Sequence, residues 1–112
     1  MVQNQQGLER ELEQEMALIR NDLETSVNTH NYEVIDEFLN NALDLVLHVS
    51  VNNRKQLLGF DIGITMGGPF ITLEYTRGSC ELVGKWGYAD LRMHVDNAVC
   101  EEILERLEEL SY

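Results

Sequence analysis

Apolar residues at Leu8, Leu12, Met16, Ile19, Leu23 and Val27 recur at steps of four, four, three, four and four. That spacing places them on one stripe of an α-helix, with Glu9, Glu11, Glu13, Glu15, Asp22 and Glu24 on the rest of its surface. Residues 1–7 are rich in Gln and Asn and are expected to fray. Thr29, His30 and Asn31 interrupt the stripe, and Asn31 is expected to cap a second helix through its side-chain oxygen. Val34, Ile35, Phe38, Leu39, Ala42 and Leu43 give that helix a wider apolar face, suited to burial against a sheet.

Near Leu45 the period falls to two. Leu45, Leu47, Val49 and Val51 alternate with Val46, His48 and Ser50, and after a polar turn over residues 52–56, Phe60, Ile62 and Ile64 alternate with Asp61, Gly63 and Thr65. Gly67-Gly68, free to take φ > 0, marks a tight hairpin, and Pro69 starts the next strand where a missing amide is tolerated. Ile71, Leu73 and Tyr75 share one face of it. Arg77, Gly78 and Ser79 turn the chain, and Cys80, Leu82, Gly84 and Trp86 share a face of the fourth strand. Residues 87–95 carry a weaker alternation of Leu91, Met93 and Val95 with Asp90, Arg92 and His94, a short extended segment. Asp96 then caps a last helix, with Val99, Cys100, Ile103, Leu107 and Leu110 on one side and Glu101, Glu102, Glu105, Glu108 and Glu109 on the other. The expected fold is one α+β domain over residues 1–112: an antiparallel three- or four-stranded meander sheet, two N-terminal helices and one C-terminal helix.

Charge divides along the same boundaries. Residues 1–30 hold six acids and two bases, 31–45 four acids and no base, and 96–112 six acids and one base, whereas 46–95 hold four acids and five bases. The net charge of −12 therefore sits on the helices. Such a layer favours basic protein partners and disfavours nucleic acid or anionic lipid. No apolar run approaches the roughly 20 residues of a membrane span, and no basic start leads into an apolar block. Cys80 and Cys100 fall on different elements and are too few for a disulfide framework, so they read as reduced core thiols, which implies cytoplasmic residence.

Catalytic chemistry is thinly represented. The Gly67-Gly68-Pro69 turn lacks the lysine and following helix of a phosphate-binding loop. His30, His48 and His94 show no ligand spacing, and a Cys-His nucleophile lacks an orienting acid nearby. No catalytic residue, metal site or cofactor is expected, and the chain reads as a non-enzyme. Two features stand out instead. Glu101, Glu105, Glu108 and Glu109 crowd like charges at helical neighbour spacing, against the helix dipole, a local misfit of the kind that marks binding surfaces. Trp86 and Tyr88 lie among Gly84 and Gly87, with Trp86 expected in the core and Tyr88 turned outward by a bulge at Gly87, as a partner-binding aromatic.

The stretch from Gly59 to Tyr88, GFDIGITMGGPFITLEYTRGSCELVGKWGY, covers about a quarter of the chain. It resembles a group of small acidic proteins of phages and other bacterial mobile elements, in the hairpin Gly67-Gly68-Pro69 and the pair Trp86-Gly87 ahead of an acidic helix. The resemblance implies a mobile-element accessory protein, among which anti-CRISPR and anti-restriction inhibitors are one kind. Together these readings give an acidic DNA-mimic-like protein that inhibits a basic nucleic-acid-binding host protein such as a nuclease or defence complex, through Glu101, Glu105, Glu108, Glu109 and Tyr88. The alternative is a homodimeric structural or regulatory protein, paired through the first helix or a sheet face.

Overall fold

The structure, a computed structural model, describes residues 2–50, 56–65, 69–76 and 78–110. Helix α1 (Val2–Asn28) and helix α2 (Glu33–Asn40) lead into strands β1 (Asp44–Val49), β2 (Leu57–Thr65), β3 (Phe70–Thr76), β4 (Ser79–Trp86) and β5 (Ala89–His94), and helix α3 (Asn97–Leu110) ends the chain. The strands form one antiparallel sheet in the order β1-β2-β3-β4-β5. The α+β class and the two-plus-one arrangement of helices match the sequence reading, but the sheet has five strands where three or four were expected. The additional strand is the weakly alternating segment. Gly87, at φ 61°, and Tyr88 make a two-residue turn that returns the chain as β5, with Trp86 opposite Ala89 and Leu82 opposite Met93.

All three helices belong to one side of the sheet. Alternation in the central strands fixes which: Phe60, Ile62, Ile71, Leu73, Tyr75, Cys80 and Leu82 are buried on that side against Leu12, Met16 and Leu23 of α1, Ile35 of α2, and Val99, Cys100, Ile103 and Leu107 of α3. Phe60 and Tyr75 sit opposite each other with ring centroids 5.6 Å apart. Helix α1 packs closely over Gly84, where a Cβ would lie 2.6 Å from Met16 Sδ and 2.8 Å from Leu12 Cδ1 and would push those side-chain ends aside. Gly84 thus makes room for the side chains of a helix.

The helix ends show one success and one correction. Asp96 caps α3 as expected, its Oδ1 accepting from the Ala98 amide at 3.1 Å. Asn31 does not cap α2; Tyr32 occupies that position without a side-chain hydrogen bond. Asn31 instead completes the end of α1. The His30 amide donates to the Val27 carbonyl and the Asn31 amide to the Ser26 carbonyl, with His30 at φ 55°, which is the Schellman arrangement with histidine where glycine usually stands. The Ser26 hydroxyl donates to the Asn31 carbonyl and holds the corner.

Cys80 and Cys100 are joined in a disulfide, with Cα atoms 6.1 Å apart and both residues fully buried. This corrects the reading of two reduced thiols. The element difference taken as evidence against pairing is what permits it: the core face of β4 and the buried side of α3 face each other, and the fold brings together residues 20 apart in sequence. The Gly67-Gly68 hairpin and most of the turn over residues 52–56 lie outside the described residues. No helix among the described residues is long and apolar enough to cross a membrane.

Two measurements test these local assignments. Replacing both cysteines by alanine removes a cross-link spanning 20 residues and should lower unfolding free energy by about 3 kcal/mol in urea titrations. Finding two reactive thiols in the unreduced, unfolded chain would refute the bond. His30→Gly should raise stability by a few tenths to about 1 kcal/mol, because it relieves a left-handed conformation that a Cβ disfavours; a loss of more than that would mean that His30's contact with the Tyr32 hydroxyl (3.1 Å) matters more.

Candidate partner-binding surface

Glu101, Glu105, Glu108 and Glu109 are all exposed on α3, because Val99, Cys100, Ile103 and Leu107 take the buried side. Glu9, Glu11, Glu13, Glu15 and Asp22 are exposed on α1 for the same reason, and α1 packs against α3. The two helices therefore present their carboxylates on one layer. Glu24 stitches this layer together, its Oε2 accepting from the Asp96 amide at the start of α3 (2.9 Å).

Glu102 behaves differently from its four neighbours. Its carboxylate lies 2.9 Å from an Nη of Arg106, whose Nε donates to Asp36 Oδ1 on α2, also at 2.9 Å. The guanidinium in addition lies 5.0 Å from the centroid of the Tyr32 ring. Arg106, the sole base of α3, is thereby committed to joining α2 to α3 and leaves the exposed glutamates without a neutralising partner on their own helix. Its pKa is raised, first by the hydrogen bond to Asp36 and by that residue's charge, against some desolvation. A pKa raised by folding contributes stability that is complete at neutral pH and lost only as pH climbs through the strongly alkaline range where the guanidinium gives up its proton. The tie is therefore fully present at neutral pH. The Glu102–Arg106 half was legible as an i, i+4 pair, but Asp36, 70 residues away, carried no signal.

Tyr88 stands at the tip of the β4–β5 turn with 90% of its surface exposed, while Trp86 is half-buried against the core. The outward turn at Gly87 is as expected, but the structure does not bring Tyr88 to the α3 glutamates. A Cβ at Gly87 would touch Leu8, near the start of α1, whereas α3 begins beside Glu24. Those two points of α1 are 16 residues apart, about 24 Å along a helix. A partner held by the glutamates reaches Tyr88 only if it spans the length of α1.

The other face of the sheet has the opposite electrostatic character. Arg92 reaches between Glu74 and Glu81 at 3.8 and 3.7 Å, Lys85 pairs across strands with Asp90, and His48 Nε2 lies 2.9 Å from Asp61 Oδ2. Cross-strand neighbours of opposite sign offset part of the acidic charge on this surface, where Arg92 and Lys85 stand among Glu74, Glu81 and Asp90. His48 and Cys80, which could have met as metal ligands, are on opposite faces of the sheet, and among the described residues no three His, Cys, Asp or Glu side chains converge. The chain matches no protein-family model, no curated protein and no solved structure.

Because Arg106 is only 23% exposed and bridges two helices, Arg106→Met should cost about 1–2 kcal/mol of stability at neutral pH, by loss of two charged hydrogen bonds and a ring contact. Urea unfolding measures it. A change within error would place Arg106 among ordinary surface ion pairs, which contribute little.

Proposed function

We propose that this chain is a non-enzymatic acidic binding protein whose helix layer engages a basic, nucleic-acid-binding protein and blocks its polyanion site. The observation that carries the reading is the segregation of charge: exposed carboxylates on α1 and α3 with no base on α3 besides the committed Arg106, and a sheet face where bases are interleaved with acids. Glu101 to Glu109 spans about 12 Å of helix axis and holds four exposed carboxylates at unequal steps, about 4 Å apart on average. A single DNA strand presents one phosphate per roughly 3.4 Å. A lysine- and arginine-lined groove spaced for phosphates would meet comparable spacing here.

An accessory role in a phage or mobile element, as an anti-CRISPR or anti-restriction inhibitor, belongs to this proposal and is supported by the resemblance around the Gly-Gly-Pro and Trp-Gly motifs. Cytoplasmic residence rested on free thiols. Disulfides are rare in the cytosol, although both sulfurs here are buried where a soluble reductant reaches them only by opening the contact between β4 and α3. What the acidic layer selects is the partner's chemistry, whichever compartment holds it.

Replacing Glu101, Glu105, Glu108 and Glu109 together by glutamine tests the reading. Stability should stay level or rise by up to about 1 kcal/mol, because four i, i+3 or i, i+4 like-charge pairs disappear. Wild-type protein immobilised as bait should retain nucleic-acid-binding proteins that high salt or duplex DNA displaces, and the glutamine variant should not. Equal capture by the folded variant would remove α3 from the site.

A further inference from the structure

Strand β1 is the conspicuous anomaly of the sheet. Along β3, buried and half-buried positions alternate, but β1 is exposed on both faces: Leu45 at 44%, Val46 at 47%, Leu47 at 39% and Val49 at 45%. It is also an edge, pairing with β2 alone. Edge strands are ordinarily protected by charges, proline, bulges or a covering helix. The opposite edge follows that practice, since β5 carries Asp90, Arg92 and His94 and packs against α1. On β1 the protection is a register shift between His48 and Val49 and the polar ends Asp44 and His48, with no charge, proline or bulge over Leu45-Val46-Leu47. The regular part of the strand is therefore the pentapeptide Asp44-Leu45-Val46-Leu47-His48.

That pentapeptide is chemically symmetric about Val46. We infer that β1 is the seat of a second copy of this chain, its strand Asp44–His48 pairing antiparallel with the same strand of the partner about a two-fold axis at Val46. In antiparallel pairs directly opposed residues lie on the same face, so a two-fold normal to the sheet allows only registers in which the numbers of opposed residues sum to an even value. The register centred on Val46 uses all five regular residues. It sets Val46 against Val46, Leu45 against Leu47 twice on the helix side, and Asp44 against His48 twice on the outer face. A carboxylate opposite an imidazole at both ends and apolar contact between them are what a self-complementary strand requires. The register centred on Leu47 would instead set Val46 against His48 and run into the bulge. The product is a continuous ten-stranded sheet in which four leucines cover one another beside the groove lined by Ile19, Phe38 and Ile64. This inference does not depend on what the acidic layer binds.

Val46 supplies the test, because its side chain is exposed in the single chain and meets its own copy only on the axis. Sedimentation equilibrium of the wild type should give twice the chain mass with a reversible concentration dependence. Val46→Lys sets two lysines face to face and should weaken association about tenfold or more, with an unchanged circular dichroism spectrum. An equal mixture of Val46→Lys and Val46→Glu proteins should dimerise again, as a heterodimer. A wild type that stays monomeric into the millimolar range overturns the proposal, as does a dimer indifferent to Val46→Lys. If Val46→Lys proves unfolded, oxidative cross-linking decides: Val46→Cys should link to its own copy faster than Leu45→Cys, whose copies are offset by a register step, and the reverse order overturns the Val46 axis.

Discussion

The seating of α1 on β4 governs the arrangement of everything else. Leu12 and Met16 descend onto Gly84 so closely that a Cβ there would displace the ends of both side chains. From the same strand Cys80 is bonded to Cys100 of α3. One strand thus anchors both long helices, by van der Waals contact at one end and by a covalent bond at the other. The helix layer is drawn over the half of the sheet around β4. The apolar residues of β1, farthest from the anchor, are left with large exposed fractions.

The same asymmetry sorts the charges. A helix packed by one stripe must send the remainder of its surface to water, and that remainder is mostly glutamate in α3 and a mixture of glutamate, glutamine and asparagine with Arg10 and Arg20 in α1. The strands, by contrast, interleave the two signs on their open face, with Arg92 between Glu74 and Glu81 and Lys85 opposite Asp90. Where opposite charges alternate, attraction and repulsion are screened together, whereas a surface of one sign loses its attraction as salt rises.

The parts legible in the sequence are those set by periodicity within one element. The α1 stripe is buried at Leu12, Met16 and Leu23 as its spacing requires, Asp96 caps α3, and the four glutamates are exposed because apolar residues claim the other side. Features set by contact between distant elements were not legible. The disulfide needed β4 and α3 to be stacked, the Arg106 tie needed Asp36, and the separation of Tyr88 from the glutamates needed the course of α1. The fifth strand was obscured for a different reason. Its outward residues are charged and its inward ones only partly covered, so the alternation in β5 is shallow, and the turn before it was read as a bulge. At the α1–α2 corner, propensity pointed to Asn31 as a cap, while the backbone used His30 in the left-handed region and spent Asn31 on the hydrogen bonds that close α1.

The bond between Cys80 and Cys100 also changes what it means to cut this chain. It encloses β4 from Cys80 onward, the turn at Gly87 and Tyr88, all of β5 and the start of α3 in one covalent ring. Tyr88, the most exposed large side chain of that ring, is where a protease specific for aromatic residues finds easiest access. A nick there does not release a fragment. The C-terminal piece remains held by sulfur to β4 as well as by its buried side, so the severed molecule keeps its mass and acidic layer until a reductant parts the two pieces.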